Sequence, residues 1–396
     1  MEASDARQAN RSAILWALLQ RGSAARAELG ADTGLSPATV SRVLDSLVSQ
    51  GLVYEAPLVP TGRRGRRISP VVFNADIGTA VGVDIGGSNC RFVATDLLGR
   101  VLHRSRVRIP ARMPTRKLAN WVSERLVALL ENKSFGRVTV GLPGIVDPST
   151  GCVRNAPNLR QLEGLAFTEA VRAQLPCRVT FDNDSNMAVL GEIRLGAARG
   201  HRNVVMFTIG TGLGAGVVLD GHLLRGRSGL VGELGYIPFG PDGSTLEALL
   251  SAHGLLEQAA HRGIRLSSPS AVFDRSPQRG LQAIRRRFSQ ALLATLVVVT
   301  VVYEPDVVVL GGGVANSLLD AIEGFEKDLR TLVPEGPRLV VSAIGDLAGA
   351  FGAVVASLHG VYTDLGVDAM LLDGRAVGPE LTNLLLDPPG APSRAD

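Results

Sequence analysis

The sequence predicts an α/β protein made of a small helical head and a large body. Three observations carry this. Residues 12–50 place apolar side chains at helical spacing. From Thr79 onward short strands alternate with helices. Two apolar runs, "AVGVDIGGSNCRFVAT" (80–95) and "VVMFTIGTGLGAGVVL" (204–219), each fold back at a glycine-rich tip and read as hairpins. At 396 residues the chain exceeds one ordinary core. The expected units are a head over 1–75, a two-lobed body over 76–366 and a tail over 367–396.

In the head, "NRSAILWALLQRG" puts Ile14, Leu15, Leu18 and Leu19 on one helical face and stops at Gly22. A second helix ends near Ala31, and Gly34 permits a sharp turn. Ser36 is a good N-cap and Pro37 suits the first helical position. The third helix sets Val40, Val43, Leu44, Leu47 and Val48 on its inner face. Ala38, Thr39, Ser41 and Arg42 begin its outer face, as a groove-reading helix requires. "GLVYEAPLVPTGRRGRRISPVVF" then reads as a two-stranded wing tipped by Arg63, Arg64, Arg66 and Arg67. The order of helix, turn, capped helix and basic wing reads as a winged helix-turn-helix; the alternative is a three-helix protein-interaction module. The first reading implies a double-stranded DNA operator as partner, with Ser36, Ala38, Thr39, Ser41, Arg42 and the four wing arginines as contacts. Such heads read paired half-sites, which implies a homodimer or a tetramer of two.

Charge supports this placement. Net charge is only +4, yet nine Arg face six acids up to Ala75, and four of those Arg fall within Thr61–Arg67. That cluster fits a polyanion; the alternative is a solvated linker. Cys90, Cys152 and Cys177 have no paired spacing, which fits a reducing cytoplasm. The polar start "MEASDARQANRS" is no signal peptide, and the apolar run Ala291–Tyr303 is too short to span a bilayer. No membrane partner is expected.

In the body, "CRVTFDNDSNMAVLGEIRLGAARG" is a strand ending in Asp182-Asn183-Asp184 and then a helix. A long helix covers about Leu281–Tyr303. "PDVVVLGGGVAN" is a strand that ends in glycines. Two facing glycine hairpins with an acid on the first form a nucleotide cleft. Asp84 would hold Mg²⁺ through water. Gly86, Gly87 and Ser88 would cradle phosphates from one side, and Thr208, Gly210, Thr211, Gly212 and Gly214 from the other. Gly312 and Gly313 would let a base or ribose lie flat. This is the layout of the actin/hexokinase-like ATPase fold, which is RNase H-like. Two readings of the glycines stay open: hairpin geometry alone, or phosphate approach. Asp184 likewise is either an N-cap or a hydroxyl partner.

"DIGGSN", "GLPGIVD", "NAPNL", "FDNDSN", "TIGTGLGAG", "VGELGY" and "VVVLGGGV" occur in order over about Ala80–Gly360. They resemble the ROK family of sugar kinases and sugar-responsive repressors, and the head resembles that of its transcriptional-regulator branch. The resemblance implies that Asp184 is the residue that takes the proton from a sugar hydroxyl in family kinases. It implies Asn158, Asn183, Glu233 and Glu247 as further sugar partners. Carboxylates suit this, since each accepts two directed hydroxyl bonds.

The chain departs from the family pattern in two places. Tyr236 stands where the family has a His, and no Cys follows Cys177, so a thiolate zinc loop cannot form. Ser88-Asn89 replaces a Thr-Lys pair, which removes a cation beside the phosphates. The expectation is therefore a cytoplasmic, homodimeric regulator, a repressor. It responds to a sugar or sugar phosphate, needs no cofactor to bind DNA, and keeps a vestigial ATP/Mg²⁺ site without zinc. The alternative is an ATP-dependent, glucokinase-like sugar kinase that also binds DNA; a third is a constitutive DNA binder with an idle pocket.

Overall fold

The computed structural model describes residues 3–57, 59–60, 67–110, 112–130, 133, 135–274 and 278–372. Helix α1 (Ala3–Arg21) buries Ile14, Leu15, Leu18 and Leu19 completely and ends at Gly22, φ 72°. Strand β1 (Ser23–Ala24) leads to α2 (Arg26–Thr33), two residues longer than the sequence predicts and closed by left-handed Gly34. Helix α3 (Pro37–Ser49) buries Val40, Leu44 and Leu47. Val48, expected beside them, is 41% exposed. It lies about 80° around the helix from Val40, on the flank of the apolar stripe.

Strands β2 (Val53–Glu55) and β5 (Val71–Phe73) pair antiparallel, and β3 (Val59–Pro60) pairs β4 (Arg67–Ile68) farther out. This is the expected wing. Strand β1 adds a third member on the other side of β5, so the helical head also carries a small sheet. Arg63, Arg64 and Arg66 lie outside the described residues, and only the backbone of Arg67 is described.

The first lobe contains β6 (Gly78–Ile85), β7 (Asn89–Thr95), β8 (Val101–Arg108), α4 (Thr115–Leu130), β9 (Phe135–Leu142), the small hairpin β10 (Ile145–Val146) and β11 (Val153–Arg154), α5 (Ala166–Gln174) and β12 (Arg178–Asn183). The main sheet runs β12-β9-β6-β7-β8, with an antiparallel meander on one side of β6 and parallel strands on the other. Helix α6 (Asp184–Leu195) leaves it.

The second lobe repeats the scheme. Its strands are β13 (Val204–Ile209), β14 (Leu213–Leu219), β15 (His222–Leu223), β16 (Val307–Gly311) and β17 (Arg338–Val341), in the order β15-β14-β13-β16-β17. Helices α7 (Leu246–Leu250), α8 (Ala252–Ala260), α9 (Arg279–Tyr303) and α10 (Ile322–Leu332) cover it. The apolar run 291–303 is thus part of a 25-residue helix, long and apolar enough by length and composition to cross a bilayer. Leu281, Ile284, Phe288, Leu292, Leu296 and Val299 instead form core against the sheet.

Helix α11 (Ala348–Asp364), followed by α12 (Ala369–Leu372), returns to the first lobe. Glycines let it lie close. A Cβ on Gly352 would stand 1.7 Å from the Met187 carbonyl oxygen, and one on Gly82 would stand 2.2 Å from that of Ala350. Its far half joins head and lobe in one core: Val354, Leu358, Val361 and Tyr362 pack with Ile14, Leu15, Leu18 and Leu19. The Tyr362 hydroxyl donates to the Leu97 carbonyl at 2.6 Å, and the Asp368 amide donates to Ser12 Oγ at 2.7 Å. Val367 and Leu372, at the start of the expected tail, are buried in the same core; the apolar Leu381–Leu386 lies outside the described residues.

Candidate functional site

In the head, α3 presents Ala38 and Arg42 to solvent, with Thr39 and Ser41 half-buried. Ser36 Oγ accepts from the Thr39 amide at 3.3 Å and lies 3.0 Å from Thr39 Oγ1. The Ser36 hydroxyl therefore caps α3, with the Thr39 hydroxyl as its side-chain partner. Arg26 of α2 pairs with Glu55 at 2.7 Å and with Asp45 at 3.5 Å, which offsets the charge of two acids in the head.

In the body, every ligand and nucleotide residue expected from the sequence lines one cavity of about 710 Å³ between the lobes. Asp84, Gly86, Gly87 and Ser88 come from the β6–β7 tip. Thr208, Gly210, Thr211, Gly212 and Gly214 come from the β13–β14 tip, and Gly312 and Gly313 from the end of β16. Asn158, Asn183, Asp184, Glu233 and Glu247 complete the wall.

The glycines divide into two classes. A Cβ on Gly214 would meet Ser185 Oγ at 2.3 Å, and one on Gly312 would meet the Ile209 carbonyl at 2.5 Å. Packing alone demands those two. A Cβ on Gly210 or Gly313 would meet nothing within 4 Å. Their bare backbone faces the cavity, open to close approach by an oxyanion.

Helix α6 begins at the bottom of the cleft. Its N-cap is Asn183, whose Oδ1 accepts from Ser185 N at 2.8 Å and Asn186 N at 3.1 Å. Asn183 Nδ2 also donates to the Gly144 carbonyl at 2.9 Å, so this residue holds the turn while lining the cavity. Asp184 is thereby not the cap. It sits in the first turn with its carboxylate on the cavity. Asp182 braces the turn from behind: it accepts from Asn183 N at 2.8 Å and Asn186 Nδ2 at 2.9 Å, and pairs with Arg225 at 2.7 Å.

Four acids share this space, and burial raises each above its ordinary range. Burial, with Asp84 close by, takes Asp184 to about 7. Burial, opposed by Arg91, leaves Asp84 at about 6. Burial and Glu247 take Glu233 to about 7, and burial raises Glu247 as well. Glu247 projects from α7 over Gly212, where a Cβ would stand 3.3 Å from its Oε1. Asp84, Asp184 and Glu233 thus hold or release a proton near neutral pH.

Asn89 removes a cation from beside the phosphate side of the cleft. The structure supplies another. Arg91 lies two residues on, so it points to the same side of β7, and it lines the cavity. It donates to Asp84 at 3.1 Å and to Asp346, just before α11, at 3.3 Å. The period-two alternation from Asn89 was the available signal. Glu192 was also missed: fully buried on α6, it accepts from Ser342 Oγ and from Ile344 N at 3.1 Å, fixing the loop that enters α11. Tyr236 accepts from Asn155 Nδ2, joining the second lobe to the loop after β11. Among the described residues, no group of three or more His, Cys, Asp or Glu is placed to hold a metal ion.

Residues 80–358 match the ROK family, and residues 12–57 match the IclR helix-turn-helix domain. A glucokinase of Thermotoga maritima is 28% identical over 60% of this chain and 82% of its own length. A xylose repressor of Bacillus spizizenii is 28% identical over 58% of this chain, and the match spans only 60% of that repressor. A crystal structure described as a ROK family transcriptional regulator, homolog of the E. coli MLC protein, superposes over 93% of this chain and all of its own. Its TM-score is 0.74 at 20% identity, which shows a shared fold.

Proposed function

The chain belongs to the ROK family, and on that premise we propose that it is a DNA-binding transcriptional repressor whose body takes a sugar or sugar phosphate. One observation carries the reading: α11 lines the cleft with Ala348 and Gly349 at its start and shares a core with α1 of the head at its end. A ligand that prefers one setting of the lobes shifts the head through that helix, to the extent of its differential affinity for the two settings. The matched helix-turn-helix domain and the xylose repressor relatives support the DNA half. A homodimer on a pseudo-palindromic operator in the cytoplasm belongs to the same proposal.

In the cleft, Asp184, Glu233, Glu247 and Asn158 would take sugar hydroxyls. Asp84 and the open glycines would hold ATP and Mg²⁺ in a vestigial site, with DNA binding independent of both. Zinc has no part in it. Selection from random duplexes, repeated with sugars and sugar phosphates, tests the reading. The expected result is a two-fold symmetric sequence whose recovery changes with one ligand class; no enrichment overturns it.

A second reading, an ATP-dependent sugar kinase, draws on the Asp184 carboxylate, free of capping duty and poised near neutrality. A carboxylate there can orient and deprotonate an attacking hydroxyl. A coupled ATP assay across hexoses, with turnover abolished by Asp184→Asn, would establish it.

A further inference from the structure

A row of arginines runs along the outer strand of the first lobe. Strand β8 is the edge of its sheet, paired only with β7. Arg104, Arg106 and Arg108 alternate along it, so all three stand on one face of the sheet, and all are exposed. Register fixes which face. Arg104 lies opposite Val93 and Arg106 opposite Arg91. Val93 belongs to the core that α11 shares with the head, whereas its neighbours Phe92 and Ala94 pack on the α4 side. The row therefore occupies the same face of the lobe that carries the head.

The strand also starts at the head. Val101, its first residue, packs against the shared core, and the Leu97 amide before it donates to the Ala75 carbonyl at 3.2 Å. Leu98 meets the position of Gly22 at the end of α1. From there β8 leads away from the head. Arg106 is held by Asp346 at 3.1 Å. Arg104 and Arg108 have no ion pair among the described residues.

We propose that this row is a second, sequence-independent contact for duplex DNA, engaging phosphates outside the stretch that the head covers. Charge complementarity favours DNA as occupant. Charge guarding an edge strand against pairing would serve with either sign; here every charge in the row is positive, beside a head with its own arginine-rich wing. Guanidinium groups suit phosphate oxygens.

The inference rests on the DNA-binding reading above, and the test separates the two. Affinity of the full chain is measured against salt for 20-bp and 50-bp duplexes carrying one selected operator. The wild type is expected to show a steeper log–log slope on the longer duplex. The Arg104→Gln/Arg108→Gln variant should lose that excess, about 1.8 per protomer for two phosphates, while binding the 20-bp duplex as before. Both side chains are exposed, and an unchanged melting temperature checks the fold. Equal slopes on both duplexes, or an excess that survives in the variant, overturns the inference and leaves the head reading intact. Failure to bind either duplex overturns the head reading itself.

Discussion

Arg91 Nε lies 3.3 Å from the Asp346 carboxylate, joining a strand of the first lobe to the loop that opens α11. Asp346 also accepts from Arg106 at 3.1 Å. Arg91 is largely buried and half-shared with Asp84, so an incoming anion would compete with two carboxylates for it.

Asp346→Asn should therefore release Arg106 and leave Arg91 with Asp84 as its carboxylate partner, so that both attract an external anion more strongly. Because Asp346 is half-exposed, stability should change by no more than about 1 kcal/mol. The melting-temperature rise produced by inorganic phosphate should exceed that of the wild type. An equal rise would show that Asp346 does not compete.

Asp184 titrates at about 7 in the fold against an ordinary value of 3.8, because burial disfavours its charge. A carboxyl raised in this way contributes stability that is full below about pH 4 and is lost as pH rises through about 7. Asp184→Asn removes the charge and keeps the acceptor for Ser185. Its melting temperature should exceed the wild-type value at pH 8, by about 1–3 kcal/mol in stability, and the difference should vanish by pH 4. A pH-independent difference would contradict the assignment.

The two glycine classes should behave differently. Gly214→Ala pushes a methyl group into Ser185 and Thr208 and should cost about 1–3 kcal/mol. Gly210→Ala should leave the melting temperature unchanged and weaken the stabilisation produced by ATP or a sugar phosphate. Equal loss of stability in both would mean that the whole hairpin tip is glycine for packing.

Tyr362→Phe leaves the buried Leu97 carbonyl without its donor and should cost about 1–3 kcal/mol. Since Tyr362 sits in the core common to head and lobe, the loss should appear as one cooperative transition. A separate early transition of the head would show that the core does not couple them.

In the head, Ser36→Ala removes a cap and should cost about 1 kcal/mol. Arg42→Ala should leave stability alone and relax base choice at one operator position by about 1–3 kcal/mol. The pair separates capping from reading within seven residues.

Much of this was legible because local chemistry and fold agree. Gly34, Ser36 and Pro37 mark the start of α3 by rules that need no tertiary context, and the apolar period of Ile14, Leu15, Leu18 and Leu19 marks its support. The glycine tips and the Asp182–Asp184 turn were read in order, and the structure gathers all of them around one cavity. The missed features depend on partners distant in sequence. Asn183 takes the cap because Gly144, some 40 residues away, orients it. Arg91 becomes a cleft cation only because Asp346 and Asp84 converge on it. Strand β1 has two residues and exists only by pairing with Val71 and Val72. The mutual burial of α1 and α11 joins segments more than 300 residues apart, with no local pattern to announce it.

The core common to α1 and α11 has a mechanical corollary. With no slack tether between them, the head cannot search for its site independently of the lobe that carries it. A rotation of that lobe about the cleft would carry it as the tip of a lever. An arm of that kind converts a slight rotation at the pivot into a longer arc at the tip, in proportion to its length. A ligand too small to touch DNA could thus move the reading helix out of step with the groove without loosening a single contact inside the head.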